Sequence, residues 1–175
     1  MTAQKLSGGW AFFVGGKTMT ITEITTDKKR YLDLLLLADE EERMIDGYLE
    51  RGRLFVLEDP EVKTVCVVTD EGDGVAEIKN LATAPAAQRR GYGRAMVDYV
   101  KNLCRDEFRT LRVGTGESPL TLPFYEACGF KRAYVIADFF TEHYDHPIVE
   151  AGQLLRDMIV LELSLANESE FGAKG

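Results

Sequence analysis

The chain has 175 residues, of which 45% are hydrophobic and 29% charged, with a net charge of -8 at pH 7. That length and balance fit one folded domain over 1–175 with a sizeable core and exclude wholesale disorder. The acidic excess argues against a general nucleic-acid binder and favours cationic small molecules as partners, while also serving solubility.

In chain order, "LSGGWAFFVGG" comes first. It is too short and glycine-rich to span a bilayer, and Lys5 alone makes a poor basic leader, so a cytoplasmic protein with no membrane partner is expected. "KTMTITEIT" alternates and is β-branched, which predicts a first strand near residues 17–24. "TDKKRYLDLLLLAD" predicts a mostly buried helix. Asp39 with Glu42 resembles a capping box for a second helix, in which Met44, Ile45, Tyr48 and Leu49 share a face and which Gly52 ends. "RLFVLED", "VKTVCVVTD" and "VAEIKNLAT" are three strands joined by short turns, an antiparallel meander.

Helical spacing of Met96, Val97, Val100, Leu103, Cys104 and Phe108 predicts a helix from about Gly93 to Phe108. "TLRVGTG" is a strand, "PLTLPFYEACG" a shorter helix stopped at Gly129, and "FKRAYVIAD" another strand. A long loop follows, "FFTEHYDHPIVEAGQLLR", of a length that tends to be functional. "DMIVLELSL" closes the sheet, and about 166–175 reads as a frayed tail. The order is β-α-α-β-β-β-α-β-α-β-β, an α/β (α+β) fold with a mixed sheet.

Cys66, Cys104 and Cys128 are odd in number, widely spaced and set in apolar runs, so they read as buried hydrophobes of a reducing compartment. There is no CxxC pair, and His143 and His146 lack metal-ligand neighbours at the usual spacing, so no metal is expected.

Chemistry concentrates at "QRRGYGRA", residues 88–95, where the third meander strand turns into a helix. Arg89, Arg90 and Arg94 supply positive charge. Gly91 and Gly93 allow close backbone approach and φ > 0. The helix start adds unpaired N–H groups and the positive end of its dipole. Together they form an anion site of the size of a pyrophosphate. No GxxxxGK[ST] occurs, and Met96 stands at the third glycine position of GxGxxG, so neither a P-loop nor a dinucleotide fingerprint is present. The alternative is a tight turn with exposed arginines.

"LATAPAAQRRGYGRA" resembles motif A of the GNAT superfamily, the acetyl-CoA-dependent N-acetyltransferases, whose core Q/R-x-x-G-x-G/A is met by Gln88, Arg90, Gly91 and Gly93. "PFYEACGF" resembles the family's motif B. The motifs stand in the family's order, and the resemblance covers nearly the whole chain. It implies the GNAT fold, acetyl-CoA as cosubstrate and no metal. The coenzyme A pyrophosphate is expected on Gln88, Arg89, Arg90, Gly91, Tyr92, Gly93 and Arg94. The pantetheine arm is expected along Leu81, Ala82 and Thr83, with a backbone N–H near Ala82 or Thr83 as oxyanion donor.

The reaction is amine attack on a thioester. An ammonium must first lose a proton, and the departing thiolate benefits from an acid. Glu77, eleven residues before Gln88, is similar in position to the general base of the histone-acetyltransferase branch. A carboxylate in an otherwise apolar strand is partly desolvated, which suits a proton acceptor; a solvated glutamate that attracts the amine is the alternative. Tyr125 falls at the motif B tyrosine, implied to protonate the coenzyme A sulfur, with a packing role as the alternative. The family often has an Asn seven or eight residues before that tyrosine, contacting pantetheine. Glu117 and Ser118 stand there, and only Ser118 can supply a donor.

The long loop is similar to a segment of a bacterial GNAT subgroup of uncharacterised substrate, on the acceptor side. Asp138, Glu142, Asp145 and Glu150 suit a cation, and Phe139, Phe140 and Tyr144 a wall. The expected acceptor is a cationic small-molecule amine or a peptide amine, for a monomer or homodimer. A non-catalytic acetyl-CoA sensor and a nucleotide-binding scaffold are the rival readings.

Overall fold

The computed structural model describes residues 2–6, 9–14 and 17–166; the expected frayed tail lies almost wholly outside them. The chain forms two compact units, one running to Thr69 and including Ile78–Tyr99, the other comprising Asp70–Glu77 and the chain from Val100 onward.

The first unit opens with β1 (Thr2–Leu6), β2 (Gly9–Val14) and β3 (Lys17–Ile24). Sequence reading placed the first strand at β3, so β1 and β2 are additions. They pair antiparallel with each other, and β2 pairs antiparallel with β3. Next come a 3-10 turn (Lys28–Tyr31), α1 (Leu32–Leu35) and α2 (Glu42–Leu49). The expected long leucine-rich helix is thus only one short turn of α-helix behind a 3-10 turn. β4 (Arg53–Glu58), β5 (Val62–Asp70) and β6 (Val75–Thr83) form the meander. Phe55 stands opposite Cys66 in the antiparallel β4–β5 pair. A 3-10 turn (Pro85–Ala87) leads to α3 (Tyr92–Cys104).

Apolar side chains of α1 and α2 (Leu35, Ile45, Tyr48, Leu49) bury themselves on Leu54, Val56, Val65, Val67 and Ala82 of β4 to β6. Each such burial is worth about 1.5–3 kcal/mol. The expected capping box does not form. Glu41 is the N-cap of α2 and makes no side-chain cap bond. Asp39 instead takes the Tyr48 hydroxyl on Oδ2 at 3.3 Å. The other end of α2 is capped from a distance: Lys28 Nζ donates to the carbonyls of Leu49 (3.0 Å), Glu50 (3.0 Å) and Gly52 (2.7 Å). Helix ends leave such carbonyls without intrahelical partners. Gly52 is required here, since a Cβ would stand 2.6 Å from Val67 Cγ1 and 2.8 Å from the Tyr48 carbonyl.

The second unit contains β7 (Thr110–Gly116), α4 (Leu122–Ala127), β8 (Lys131–Ile136), α5 (Phe139–His143), a small hairpin of β9 (Val149–Glu150) and β10 (Gln153–Leu154), and β11 (Met158–Ser164). From the start of β6 the strand order is β6, β7, β11, β8. Arg109 and Thr110 N–H both donate to the Gly74 carbonyl, at 2.8 and 3.2 Å. β6 and β7 therefore start side by side. β11 is antiparallel to both β7 and β8. The architecture is the expected α/β fold with a mixed, mostly antiparallel sheet.

The expected loop 139–156 is not a loop. α5 and the hairpin surround a small core of Phe140, Ile148 and Leu155, with Phe139, Tyr144 and Met158 against it. Asp138 pairs with Arg156, and the Asp138 N–H donates to Asp157 Oδ1 at 2.8 Å, closing the excursion at its base. Two glycines of β7 receive it. A Cβ on Gly114 would meet Met158 Sδ at 2.5 Å, and one on Gly116 would overlap the Leu155 side chain.

Candidate active site

The corner is built from the end of β6 and the start of α3. Gln88 leaves the 3-10 turn with extended backbone, and its Nε2 donates to the Thr83 carbonyl at 3.2 Å. Arg89 then takes φ 60° and Gly91 φ 87°. The first is strained by about 1 kcal/mol for a residue with a Cβ, the kind of strain found at ligand clamps. Gly91 has open space around it, so its backbone angle, not crowding, requires glycine. The expectation of φ > 0 at Gly93 fails: Gly93 is the second residue of α3 and helical. The left-handed turn is made by Arg89 and Gly91 together.

Gln88, Arg89, Arg90, Gly91 and Arg94 are exposed, while Tyr92 is buried. The Tyr92 hydroxyl donates to Asp59 Oδ2 at 2.7 Å, and the Arg90 guanidinium lies 5.7 Å from its ring centroid. The hydrogen bond to Asp59 pushes the Tyr92 phenol up, with burial and the Asp59 charge adding to it. Arg94 Nε lies 3.9 Å from Asp98 Oδ2, a loose pair one turn along α3. The result is a helix start flanked by three exposed arginines, an arrangement of the sign that attracts an anion.

Along β6, burial alternates strictly. Ala82 faces the α1–α2 core, whereas Leu81 and Thr83 are on the half-buried face. Ala82 therefore packs through its methyl and offers only backbone. Thr83 Oγ1 lies 3.0 Å from Thr64 Oγ1. Asn80, on the Ala82 face, donates to the Leu35 carbonyl (2.9 Å) and the Tyr48 hydroxyl (3.0 Å), while its Oδ1 is buried without a partner.

In the second unit, Glu77 is half-buried on β6, its side chain 15% exposed. Oε2 lies 3.9 Å from Arg112 Nη1. Arg112 Nε donates to Glu162 Oε1 at 3.1 Å, and its guanidinium lies 5.8 Å from the Tyr134 ring centroid. Arg112 and Glu162 were not singled out from sequence. Charged residues inside the apolar strands "TLRVGTG" and "MIVLELS" were the available signal.

Tyr125 is buried at 7% exposure, edge-on to Phe124 (5.1 Å) and Phe130 (5.7 Å). Ser118 is 1% exposed, and its hydroxyl oxygen accepts the Leu120 N–H at 3.1 Å. It shapes the turn into α4. Glu117 is exposed and 3.7 Å from Arg132 Nη1. Of the expected acceptor residues, Asp138 is committed to Arg156, which holds its carboxyl below the usual range. Phe139, Phe140 and Tyr144 pack in the core of the excursion and so anchor it from inside. A groove of about 460 Å³ beside them is lined by Glu117, Gln153, Leu154, Leu155, Arg156 and Asp157.

Residues 50–132 match the family described as Acetyltransferase (GNAT) domain. An uncharacterised N-acetyltransferase of Bacillus subtilis, YvbK, is 37% identical over 76% of this chain and 88% of its own length. The chain belongs to the GNAT family. A GNAT acetyltransferase from Elizabethkingia anophelis with acetyl-CoA bound superposes with a TM-score of 0.79 at 32% identity, covering 83% of this chain and 97% of that one. A Bacillus subtilis acetyltransferase in complex with CoA gives 0.77 at 34% identity, covering 83% and 98%. This GNAT is accordingly an acetyl-CoA-dependent N-acetyltransferase. The exposed Arg89, Arg90 and Arg94 around the start of α3 carry the sign of charge that the pyrophosphate of that cosubstrate needs. Among the described residues no group of three or more His, Cys, Asp or Glu side chains is gathered for a metal, and no helix is long and apolar enough to cross a membrane.

Proposed function

We propose that this GNAT acetylates the primary amine of a cationic small molecule, with Glu77 as proton acceptor and Tyr125 as proton donor. The observation that carries the mechanism is Glu77 itself, a carboxylate held half-buried on β6 with Arg112 Nη1 3.9 Å from its Oε2. Glu77 takes a proton from the ammonium, directly or through water. The freed nitrogen forms the N–C bond as the C–S bond breaks. The Tyr125 hydroxyl gives its proton to the departing sulfur, the nitrogen gives up its second proton through water and so restores Tyr125, and the backbone N–H at Ala82 or Thr83 donates to the carbonyl oxygen as charge develops on it. Arg89, Arg90, Arg94 and the start of α3 hold the pyrophosphate, and the backbone of Leu81, Ala82 and Thr83 the pantetheine arm. The net charge of -8 supports a cationic acceptor.

Calorimetric titration with acetyl-CoA, CoA and ATP tests the corner first. Micromolar acetyl-CoA binding that disappears in Arg90→Ala/Gly91→Ala supports the assignment; unchanged binding in that folded variant removes it. A panel of primary amines then supplies an acceptor for kinetics. Glu77→Gln is expected to lower turnover at neutral pH far more than acetyl-CoA affinity. Equal turnover of wild type and Glu77→Gln across pH takes Glu77 out of the mechanism.

A further inference from the structure

Asn80 stands two places before Ala82, on the face of β6 that packs on α1 and α2, and is 3% exposed. Its Nδ2 donates to the carbonyl of Leu35, the last residue of α1, at 2.9 Å and to the hydroxyl of Tyr48 on α2 at 3.0 Å. Tyr48 in turn donates to Asp39 Oδ2 at 3.3 Å. Neither partner depends on Asn80. The Leu35 carbonyl already accepts the N–H groups of Ala38 (3.1 Å) and Asp39 (3.2 Å), and the Tyr48 hydroxyl has its acceptor in Asp39. Asn80 itself keeps a buried Oδ1 that no donor among the described residues meets. Turning the amide over would set that oxygen against the Leu35 carbonyl, so its orientation is fixed. For folding alone this is a poor residue. A buried acceptor without a donor is costly, and an apolar side chain of the same shape is neutral or better. What the amide supplies is direction. The apolar contacts of Leu35, Ile45 and Leu49 with the sheet are non-directional. Two hydrogen bonds from one planar group fix a distance and an angle to each helix.

We infer that Asn80 and Tyr48 are positioning residues, which fix β6 against α1 and α2 so that the backbone of Leu81, Ala82 and Thr83 meets the pantetheine arm of acetyl-CoA. The inference rests on the proposed seat of that arm on those three residues. The seat is then held from both ends. After it, the Ala84 N–H donates to the Lys63 carbonyl at 2.8 Å and the Thr83 and Thr64 hydroxyls lie 3.0 Å apart, which ties the end of β6 to β5. Before it, Asn80 ties β6 to the two helices. Between the ties Ala82 gives the α1–α2 core only a methyl group, which leaves the strand free to slide without Asn80. A polar group kept in a core at a cost in stability suits the selection of one geometry.

The test needs no acceptor amine. Asn80→Leu keeps the shape and removes both bonds. Its urea midpoint is expected to equal or exceed that of wild type. Its Kd for acetyl-CoA, by calorimetry, is expected to rise about tenfold, the effect of a misplaced binding strand. Its Kd for adenosine 3′-phosphate 5′-diphosphate, the half of the cosubstrate assigned to the corner, should stay within about twofold, as for a distant site. Tyr48→Phe leaves the Leu35 bond and should weaken acetyl-CoA about threefold, with little further effect when added to Asn80→Leu. If Asn80→Leu does not fold, Tyr48→Phe decides alone. A lower urea midpoint with unchanged acetyl-CoA affinity makes the pair a prop of the fold and overturns the inference. So does an equal loss for the nucleotide half, which marks general damage. The seat itself is checked in wild type, where the backbone amide NMR signals of Leu81, Ala82 and Thr83 should move with acetyl-CoA and not with the nucleotide half. Signals that stay in place while acetyl-CoA binds would remove the seat, and the inference with it, before any variant is made.

Discussion

The Tyr92 hydroxyl and Oδ2 of Asp59 meet at 2.7 Å. That contact ties the first residue of α3 to the residue that follows β4, 33 positions earlier in the chain. The exposed turn of Arg89–Gly91 is joined to α3 by the Ala95 N–H, which donates to the Gly91 carbonyl at 2.9 Å, and Tyr92 stands directly behind it. Tyr92→Phe is expected to cost about 1 kcal/mol in urea unfolding, the net worth of a hydrogen bond to a charged group that is only partly shielded. It should also loosen acetyl-CoA binding several-fold by calorimetry. A stability loss with unchanged affinity would mean that the corner is set without Tyr92.

The two glycines of the corner differ in backbone and should differ in response. Gly91 has φ 87°, and alanine there is strained by about 1 kcal/mol. Gly93 is helical, where alanine is the better residue by about 1 kcal/mol. Gly91→Ala should therefore lower the urea midpoint, and Gly93→Ala should not. Loss of acetyl-CoA affinity in a Gly93→Ala protein of full stability would show that the ligand approaches the helix backbone where a Cβ would stand.

Burial pushes the Tyr48 phenol well above its usual range, with the Asp39 charge adding and the Asn80 hydrogen bond opposing. Burial does the same at Tyr99. A raised value favours the neutral form in the folded state. Its contribution is complete below the ordinary tyrosine range and is lost as pH rises from about 10 through the folded value. The unfolded chain then releases protons that the folded chain keeps, so stability falls with increasing pH there. Urea midpoints between pH 8 and 11 should drop, and Tyr48→Phe should flatten the drop. A Tyr48→Phe protein with the wild-type alkaline slope would show that Tyr48 does not contribute to it.

Gly114 and Gly116 seat Met158 and Leu155. Gly116→Ala should cost about 2 kcal/mol by overpacking. Leu155→Ala alone should also destabilise, since Leu155 is buried at 6% exposure. The double variant should recover part of the sum, a coupling that denaturant curves of the four proteins measure. Strict additivity would mean that the excursion is held by its own core and by Asp138–Arg156.

Local pattern carried the strands that it could carry. β6 was legible to the residue because its burial alternates along the chain, with turn residues at both ends, and β7 because alternation holds over its first four residues. The corner was legible because its glycines and arginines lie within eight consecutive positions. β1 and β2 were not, since glycines interrupt "LSGGWAFFVGG" before any alternation is established. The excursion after β8 was read as a loop because what orders it is distant in sequence: glycines of β7 and the Asp138–Arg156 pair. Glu77 was visible, but its surroundings were not, since Arg112 and Glu162 are 50 positions apart and meet only through strand order. The capping box failed for the same kind of reason, a partner for Asp39 one helix length away.

An enzyme that handles acetyl thioesters is bathed in a reagent that also attacks lysines. Lys28 is protected from it by its own bonding. An ammonium carries three N–H groups, and here all three acceptors are at hand, the carbonyls that close α2. Its Nζ is directed at those three carbonyls, and at 8% exposure there is little room for a thioester to arrive. The lysine that finishes the helix is thereby kept out of reach of the substrate of the protein it supports.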